Sequence, residues 1–104
     1  MNTPTIAEIV TFRLKEGTHT DDFTAAATEM TAFLRHTGAM VARSLSADDA
    51  AIWTDHILWT SEDAAKSAAK EMFERPEAGP FMSMIDTASM TMRHAKLALY
   101  LPPE

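Results

Sequence analysis

The chain has 104 residues, of which 46% are hydrophobic, and fifteen acidic residues outnumber nine basic ones to give a formal net charge of −6. This length predicts one domain, 1–104, and the hydrophobic content favours a packed core over disorder. Lys and Arg are dispersed, which disfavours binding to nucleic acid or to an anionic membrane surface. The absence of Cys excludes disulfides, thiolate nucleophiles and cysteine-bound metals.

Targeting and membrane segments are not predicted. The N-terminus lacks a basic stretch followed by an apolar one, and no apolar run approaches the roughly 20 residues that span a bilayer. We therefore expect no membrane partner and a cytoplasmic location.

The first half of the chain predicts a strand followed by a helix. Residues 6–15 are rich in β-branched and aromatic residues with a period of two, which is typical of a strand. Apolar residues then recur at helical spacing, which predicts a helix from about 21 to 36. Thr18 or Thr20 is the expected N-terminal cap, and Gly38 is placed to end the helix.

The second half predicts a hairpin, a helix and a strand. Residues 39–45 and 52–59 have strand composition and are separated by a polar turn, so they form the hairpin. Three further segments complete the chain: a helix opened by Thr60 or Ser61, a short helical turn at 81–86, and a last strand at 89–101.

The order βαββαβ predicts an α+β, ferredoxin-like fold with a four-stranded antiparallel sheet and both helices on one face. The other face then has no helix to cover it. The apolar strand residues cannot all point toward the helices; this applies to the set Ile9, Ile57, Leu97 and Leu99. An uncovered apolar sheet face is an association surface. We therefore expect a two-fold homodimer in which the sheets pack together.

Three segments carry a resemblance that covers nearly the whole chain. They are a first strand running through Gly17 into an acidic helix start, LWTSEDA at 58–64, and PFMSMIDTASMTMRH at 80–94. The chain resembles the dimeric α/β-barrel group, especially the antibiotic-biosynthesis-monooxygenase-like proteins. The resemblance implies a pocket between sheet and helices. The proteins that the chain resembles are of three kinds: cofactor-independent oxygenases of aromatic polyketides, haem-degrading enzymes and proteins without a known reaction.

Two departures exclude haem degradation. The only Asn is Asn2, so the first-strand Asn of haem-degrading and of some quinone-forming members has no counterpart. No His lies between Ser61 and Arg75, so the second helix offers no haem ligand. We therefore expect neither haem nor any other cofactor.

Histidines on strands are the candidate bases. His94 and His56 lie on predicted strands, and each is either a pocket base, since His titrates near neutral pH, or a sheet histidine bonded to a neighbour. His19 and His36 lie at helix ends, where structural or solvated roles are expected.

Asp55 is an acid in an otherwise apolar strand. A buried acid needs a cationic or hydrogen-bonded partner, and Arg43 and Arg93 are the candidates. Asp55 is thus either a catalytic acid or half of a structural ion pair, and either arginine could instead bind the anion of a substrate. Asp55 and His56 point to opposite faces of their strand, so no metal site is predicted.

Trp59 and Phe12 are candidate walls for a small aromatic ligand, with packing under a helix as the alternative for Trp59. The leading hypothesis is a small-molecule pocket protein, with a cofactor-free oxygenase as its enzymatic form. The alternatives are a non-enzymatic ligand-binding or stress-associated homodimer, whose pocket is filled by side chains, and an assembly module. A cavity of a few hundred Å³ that a His and an Arg enter would favour the enzyme.

Overall fold

The computed structural model describes residues 3–103 and has the predicted βαββαβ order. Its strands are β1 (Ile6–Leu14), β2 (Met40–Ala47), β3 (Trp53–Trp59) and β4 (Ile85–Lys96). Its helices are α1 (Thr20–His36), α2 (Glu62–Met72) and the five-residue α3 (Gly79–Ser83), which follows a 3₁₀ turn at Pro76–Ala78. The strands form one antiparallel sheet in the order β2-β3-β1-β4. The ferredoxin-like fold predicted from the sequence is confirmed.

One face of the sheet packs against the helices. The core joins α1 and α2 to alternate residues of β1 and β3, among them Ile6, Val10, Ile57 and Trp59. Helix α2 contributes the small residues Ala65 and Ala68, which allow it to lie close to the sheet. The layers are therefore one sheet and one set of helices, with the core between them.

Of the two predicted N-terminal helix caps, one is confirmed and the other is wrong. Ser61 caps α2, and its side chain accepts a hydrogen bond from the Ala64 amide. At α1 the residue in the capping position is His19, which makes no side-chain capping bond, so the prediction of Thr18 or Thr20 was wrong. Thr20 is instead the first helical residue, and its carbonyl accepts from the Thr24 hydroxyl.

The last strand begins and ends earlier than predicted. Its first residues, Ile85 and Asp86, pair with the end of β1. Its last ladder bond runs from the Leu97 amide to the Thr5 carbonyl, so the chain beyond has no β1 residue left to pair with. The predicted span of 89–101 was wrong because the length of β1, rather than local composition, sets where β4 can bond.

The second face of the sheet is partly apolar, and the helices of the described chain pack on the opposite face. By strand alternation, Ile9 and Leu58 lie on it, whereas Ile57 is buried against the helices. Leu97 and Leu99 lie past the end of β4, so only Ile9 of the four residues named above lies on a strand of this face. His56 and Arg93 occupy the same open face, adjacent to Ile9 in the neighbouring strands.

Candidate functional site

A small cavity lies between the sheet and the ends of α2 and α3. Its volume is about 30 Å³, which holds about two water molecules. The floor comes from β1, β3 and β4, and the roof from α2, α3 and the turns beside them. It is lined by Glu8, Val10, Phe12, Asp55, Ile57, Ala69, Met72, Phe73, Phe81, Met82, Ile85, Met90 and Met92.

Glu8 is the acid that the sequence analysis missed. It follows Ala7 in β1, and alternation places it on the same face as Ile6 and Val10, where its side chain is only 2% exposed. A single acid on the apolar face of a strand was the available signal, and the same signal had drawn attention to Asp55. Glu8 therefore brings a carboxyl group into an otherwise apolar part of the cavity wall.

His94 contacts Glu8 directly. The two residues lie opposite each other in β4 and β1, and His94 Nε2 is 2.9 Å from Glu8 Oε2. The imidazole is 17% exposed. The pair thus connects the cavity, which Glu8 lines, to the protein surface, which His94 reaches.

Burial makes Glu8 a weaker acid than usual. Loss of solvation raises the pKa of Glu8 above its ordinary 4.5, and the hydrogen bond and charge of His94 offset this in part. The indole N–H of Trp59 also lowers that pKa by its proximity, although it does not reach hydrogen-bonding geometry with Glu8. Within residues 3–103, that nitrogen is buried without a hydrogen-bond partner. A carboxyl group with a raised pKa and an adjacent imidazole can accept a proton from a bound molecule and pass it outward.

Asp55 and Arg43 form a second buried pair beside the cavity. Arg43 donates from Nε to Asp55 Oδ1 at 2.9 Å and from Nη2 to Asp55 Oδ2 at 2.6 Å. Its Nη1 donates to the Ala27 carbonyl at 2.8 Å and to the Thr31 hydroxyl at 3.1 Å. Of the two arginines considered as partners of Asp55, Arg43 is the one in contact. The pair links β2, β3 and α1, which is a structural arrangement.

The candidate residues fall in different places. Phe12 and Asp55 line the cavity, and His94 reaches it through Glu8. Trp59 is 1% exposed in the core and does not line the cavity in the described chain. His56 and Arg93 lie on the opposite face of the sheet, as their register with Ile9 shows.

A larger cleft opens between α1 and β2. Its volume is about 330 Å³, and Arg43, Arg35, Trp53 and three threonines of α1 contribute to its walls. No His lines it among the described residues. Neither space therefore combines a volume of a few hundred Å³ with both a His and an Arg.

Two negative findings concern metals and membranes. Across residues 3–103, no group of three or more His, Cys, Asp or Glu could hold a metal ion. In that same part of the chain, no helix has the length and apolar character to cross a membrane.

Comparison with solved structures identifies the fold more closely. No family model matches the chain, and no curated protein matches its sequence. A single-residue variant of SnoaB from Streptomyces nogalater, described as a cofactor-independent oxygenase, is 14% identical, with 97% of this chain and 100% of that chain covered at a TM-score of 0.74. A Bordetella bronchiseptica protein, provisionally assigned to the antibiotic biosynthesis monooxygenases, is 14% identical, with 93% and 100% covered at a TM-score of 0.77.

A third similar structure is protein SO0527 from Shewanella oneidensis, whose description names no activity. It is 16% identical, with 92% of this chain and 93% of that chain covered at a TM-score of 0.64. Structural matches at sequence identities this low establish the fold but do not establish the activity. The chain therefore shares the ferredoxin-like fold of these solved structures over nearly its whole length.

Proposed function

We propose that this protein binds a small aromatic molecule between the sheet and helices α2 and α3, and that Glu8 with His94 removes a proton from it. The observation that carries the proposal is the Glu8–His94 contact of 2.9 Å at the wall of the cavity. The fold shared with a cofactor-independent oxygenase supports the same reading. In this proposal Glu8, rather than His94, is the group nearest the ligand, and His94 transfers the proton from Glu8 to the surface.

The proposed chemistry is oxygenation of an electron-rich phenol. Glu8 takes the phenolic proton, and the resulting anion transfers electrons to dioxygen, which then bonds to a ring carbon. Cleavage of the O–O bond, with loss of the proton from that carbon, gives a quinone and one water molecule. The substrate supplies both electron pairs, so the balance needs no other reductant. The proton transfer exchanges one buried anion, the Glu8 carboxylate, for another, the phenolate, so the largely apolar pocket does not have to take up additional charge.

Oxygen uptake tests the proposal. Purified protein is screened with naphthalene diols and polyphenols in an oxygen electrode, and Glu8→Gln and His94→Asn are then compared with wild type on any active substrate. We expect Glu8→Gln to lower kcat by about 10²-fold or more, since this is the usual contribution of a general base. His36→Asn, at the exposed end of α1, is the control and should leave the rate unchanged.

His56→Asn discriminates between the two candidate histidines. His56 lies on the face away from the cavity, so its replacement should preserve the rate. Loss of activity in His56→Asn together with full activity in Glu8→Gln would move the base to the open face and overturn the assignment.

The size of the cavity favours a second candidate function. About 30 Å³ is too small for an aromatic ring, so the methionine side chains must move before any such ligand enters. A non-enzymatic homodimer with a side-chain-filled pocket is consistent with that volume. Absence of both ligand binding and oxygen uptake across the whole panel would support this alternative.

We also propose that two copies pack through their open sheet faces. Ile9 and Leu58 lie on that face, and about 800 Å² buried per subunit would place the contact in the usual range for specific complexes. Sedimentation equilibrium at micromolar concentration should give about twice 11.5 kDa. Ile9→Lys should give monomers, whereas Thr28→Lys on the exposed side of α1 should not. A wild-type protein of 11.5 kDa would remove the interface.

A further inference from the structure

The residues that line the cavity differ in their exposure, and the exposed ones lie together at one end. At the β1 and β3 end, Glu8, Val10, Asp55 and Ile57 are buried. Phe73, which follows α2, is 72% exposed, and Met92 of β4 is 42% exposed. The cavity therefore approaches the surface between the end of α2 and the edge strand β4.

Exposed large apolar side chains are costly, and here two of them line the same cavity. Burial of such a side chain is favourable, so leaving Phe73 and Met92 in water forgoes that stabilisation. In the described chain, the other large hydrophobic residues with comparable exposure are Leu99 and Leu101, which lie beyond β4. The pair at the cavity is thus separate from the exposed residues of the C-terminal segment.

The position of each side chain allows it to move. Phe73 follows the last residue of α2 as its C-terminal cap, and the chain is extended at Arg75 before the 3₁₀ turn. Met92 lies on an edge strand, with β1 on one side only. Behind them, Met82 and Met90 are half-buried, and flexible thioethers can repack around a ligand.

We propose that Phe73 and Met92 form the entrance of the pocket, which admits uncharged aromatic molecules and excludes anionic ones. The inference rests on the proposed function, because the ligand that passes this entrance is the one that Glu8 meets. The cavity walls in the described chain include the carboxyl groups of Glu8 and Asp55 but no Lys, Arg or His. A carboxylate ligand would lose its solvation at the apolar entrance without gaining a cation inside.

Stopped-flow fluorescence with the neutral probe N-phenyl-1-naphthylamine tests the entrance. The chain has no Cys, so Phe73→Cys carries the only thiol and can be blocked reversibly with a benzyl methanethiosulfonate. We expect the blocked protein to bind and release the probe at least about tenfold more slowly, and a reductant to restore both rates. Leu99→Cys with the same adduct is the matched control, since Leu99 is equally exposed but does not line the cavity.

Truncation should have the opposite effect. Phe73→Ala and Met92→Ala should each raise the rates of binding and release together and leave Kd within about twofold, because an entrance changes the barrier more than the bound state. Ala69→Leu, which fills the cavity from α2, should weaken equilibrium binding and so locate the probe. An anionic analogue, 8-anilinonaphthalene-1-sulfonate, should compete poorly.

The outcomes separate the two proposals. Binding that Ala69→Leu weakens, with rates that the Phe73 adduct leaves unchanged, would overturn the entrance and leave the pocket in place. A wild-type protein that takes up no probe, or takes it up regardless of Ala69→Leu, would overturn the pocket and the entrance together. A changed sedimentation coefficient in Phe73→Ala would assign this surface to a subunit contact, which would also overturn the entrance.

Discussion

Two pairs of ionisable side chains lie on the helix-facing side of the sheet, and they differ in how completely they are bonded. Arg43 makes two hydrogen bonds to Asp55 and two more to α1, through the Ala27 carbonyl and the Thr31 hydroxyl. Glu8 makes a single 2.9 Å contact with His94, and the neighbouring indole nitrogen of Trp59 has no partner among the described residues. The first pair is fixed, whereas the second retains unused bonding capacity.

This difference separates a structural pair from a reactive one. Four of the five guanidinium N–H groups of Arg43 donate to these partners, so the Arg43–Asp55 pair is suited to holding β2, β3 and α1 together. A buried carboxyl group with a raised pKa can exchange a proton without breaking the fold. Burial alone therefore does not identify a functional acid, and the number of bonds that each group has made is more informative.

Breaking the fixed pair should have the largest effect on stability. Asp55→Ala leaves the Arg43 guanidinium buried without its counter-charge, and such changes cost about 3–5 kcal/mol in the free energy of unfolding. Urea denaturation measures the loss. Replacing both residues by Leu removes both charges and should recover most of it. A loss below about 1 kcal/mol in Asp55→Ala would show that the pair is less structural than its geometry indicates.

The Glu8–His94 pair should instead affect how the free energy of unfolding depends on pH. Because burial raises the pKa of Glu8, the folded protein still binds this proton at pH values where the unfolded chain has released it. Above the ordinary pKa of 4.5, the free energy of unfolding therefore falls as pH rises through the folded-state pKa. Glu8→Gln removes this titration, so its stability relative to wild type should increase with pH.

Urea unfolding between about pH 4 and about pH 8 measures this difference. Glu16→Gln, an exposed change just after β1, is the control and should run parallel to wild type. In His94→Asn the pKa of Glu8 should rise further, since the partner that lowers it is lost, and the window of falling stability should widen. Parallel curves for Glu8→Gln and wild type would contradict the raised pKa.

Local sequence predicted the elements and the β2–β3 hairpin, but it did not predict the extent of β4 or the partner of Asp55. Alternation and helical spacing are properties of neighbouring residues, so β1, α1 and β3 were placed within a residue or two. The bounds of β4 depend on where β1 begins and ends, which composition at 89–101 does not contain. Likewise, Arg43 and Arg93 were equivalent partners for Asp55 until the sheet order placed β2, and not β4, beside β3.

The candidate site was predictable only in part, for the same reason. His94 was a candidate from its residue type, but the importance of Glu8 depends on a register that joins residues 8 and 94 across the sheet. Trp59 fitted a wall by its position at a strand end, and the structure buries it in the core beside Glu8 instead. When a site is formed by neighbours on different strands, the sequence shows which residue types are available. Which of them lie together is known only once the strand register is known.

The smallest predicted effect tests whether every bond to Arg43 contributes. Thr31→Val removes the hydroxyl that accepts from Arg43 Nη1 at 3.1 Å, while Nη1 keeps its 2.8 Å bond to the Ala27 carbonyl. One hydrogen bond to a charged donor that retains another acceptor should cost about 0.5–1.5 kcal/mol of unfolding free energy. Thr28→Val is matched in chemistry and helix propensity, but the Thr28 hydroxyl bonds only the Thr24 carbonyl and is exposed. Thr28→Val should change the free energy of unfolding by close to zero. Equal losses of that free energy in the two variants would mean that the bond between Thr31 and Arg43 contributes nothing beyond what a threonine hydroxyl contributes through its bond to the α1 backbone.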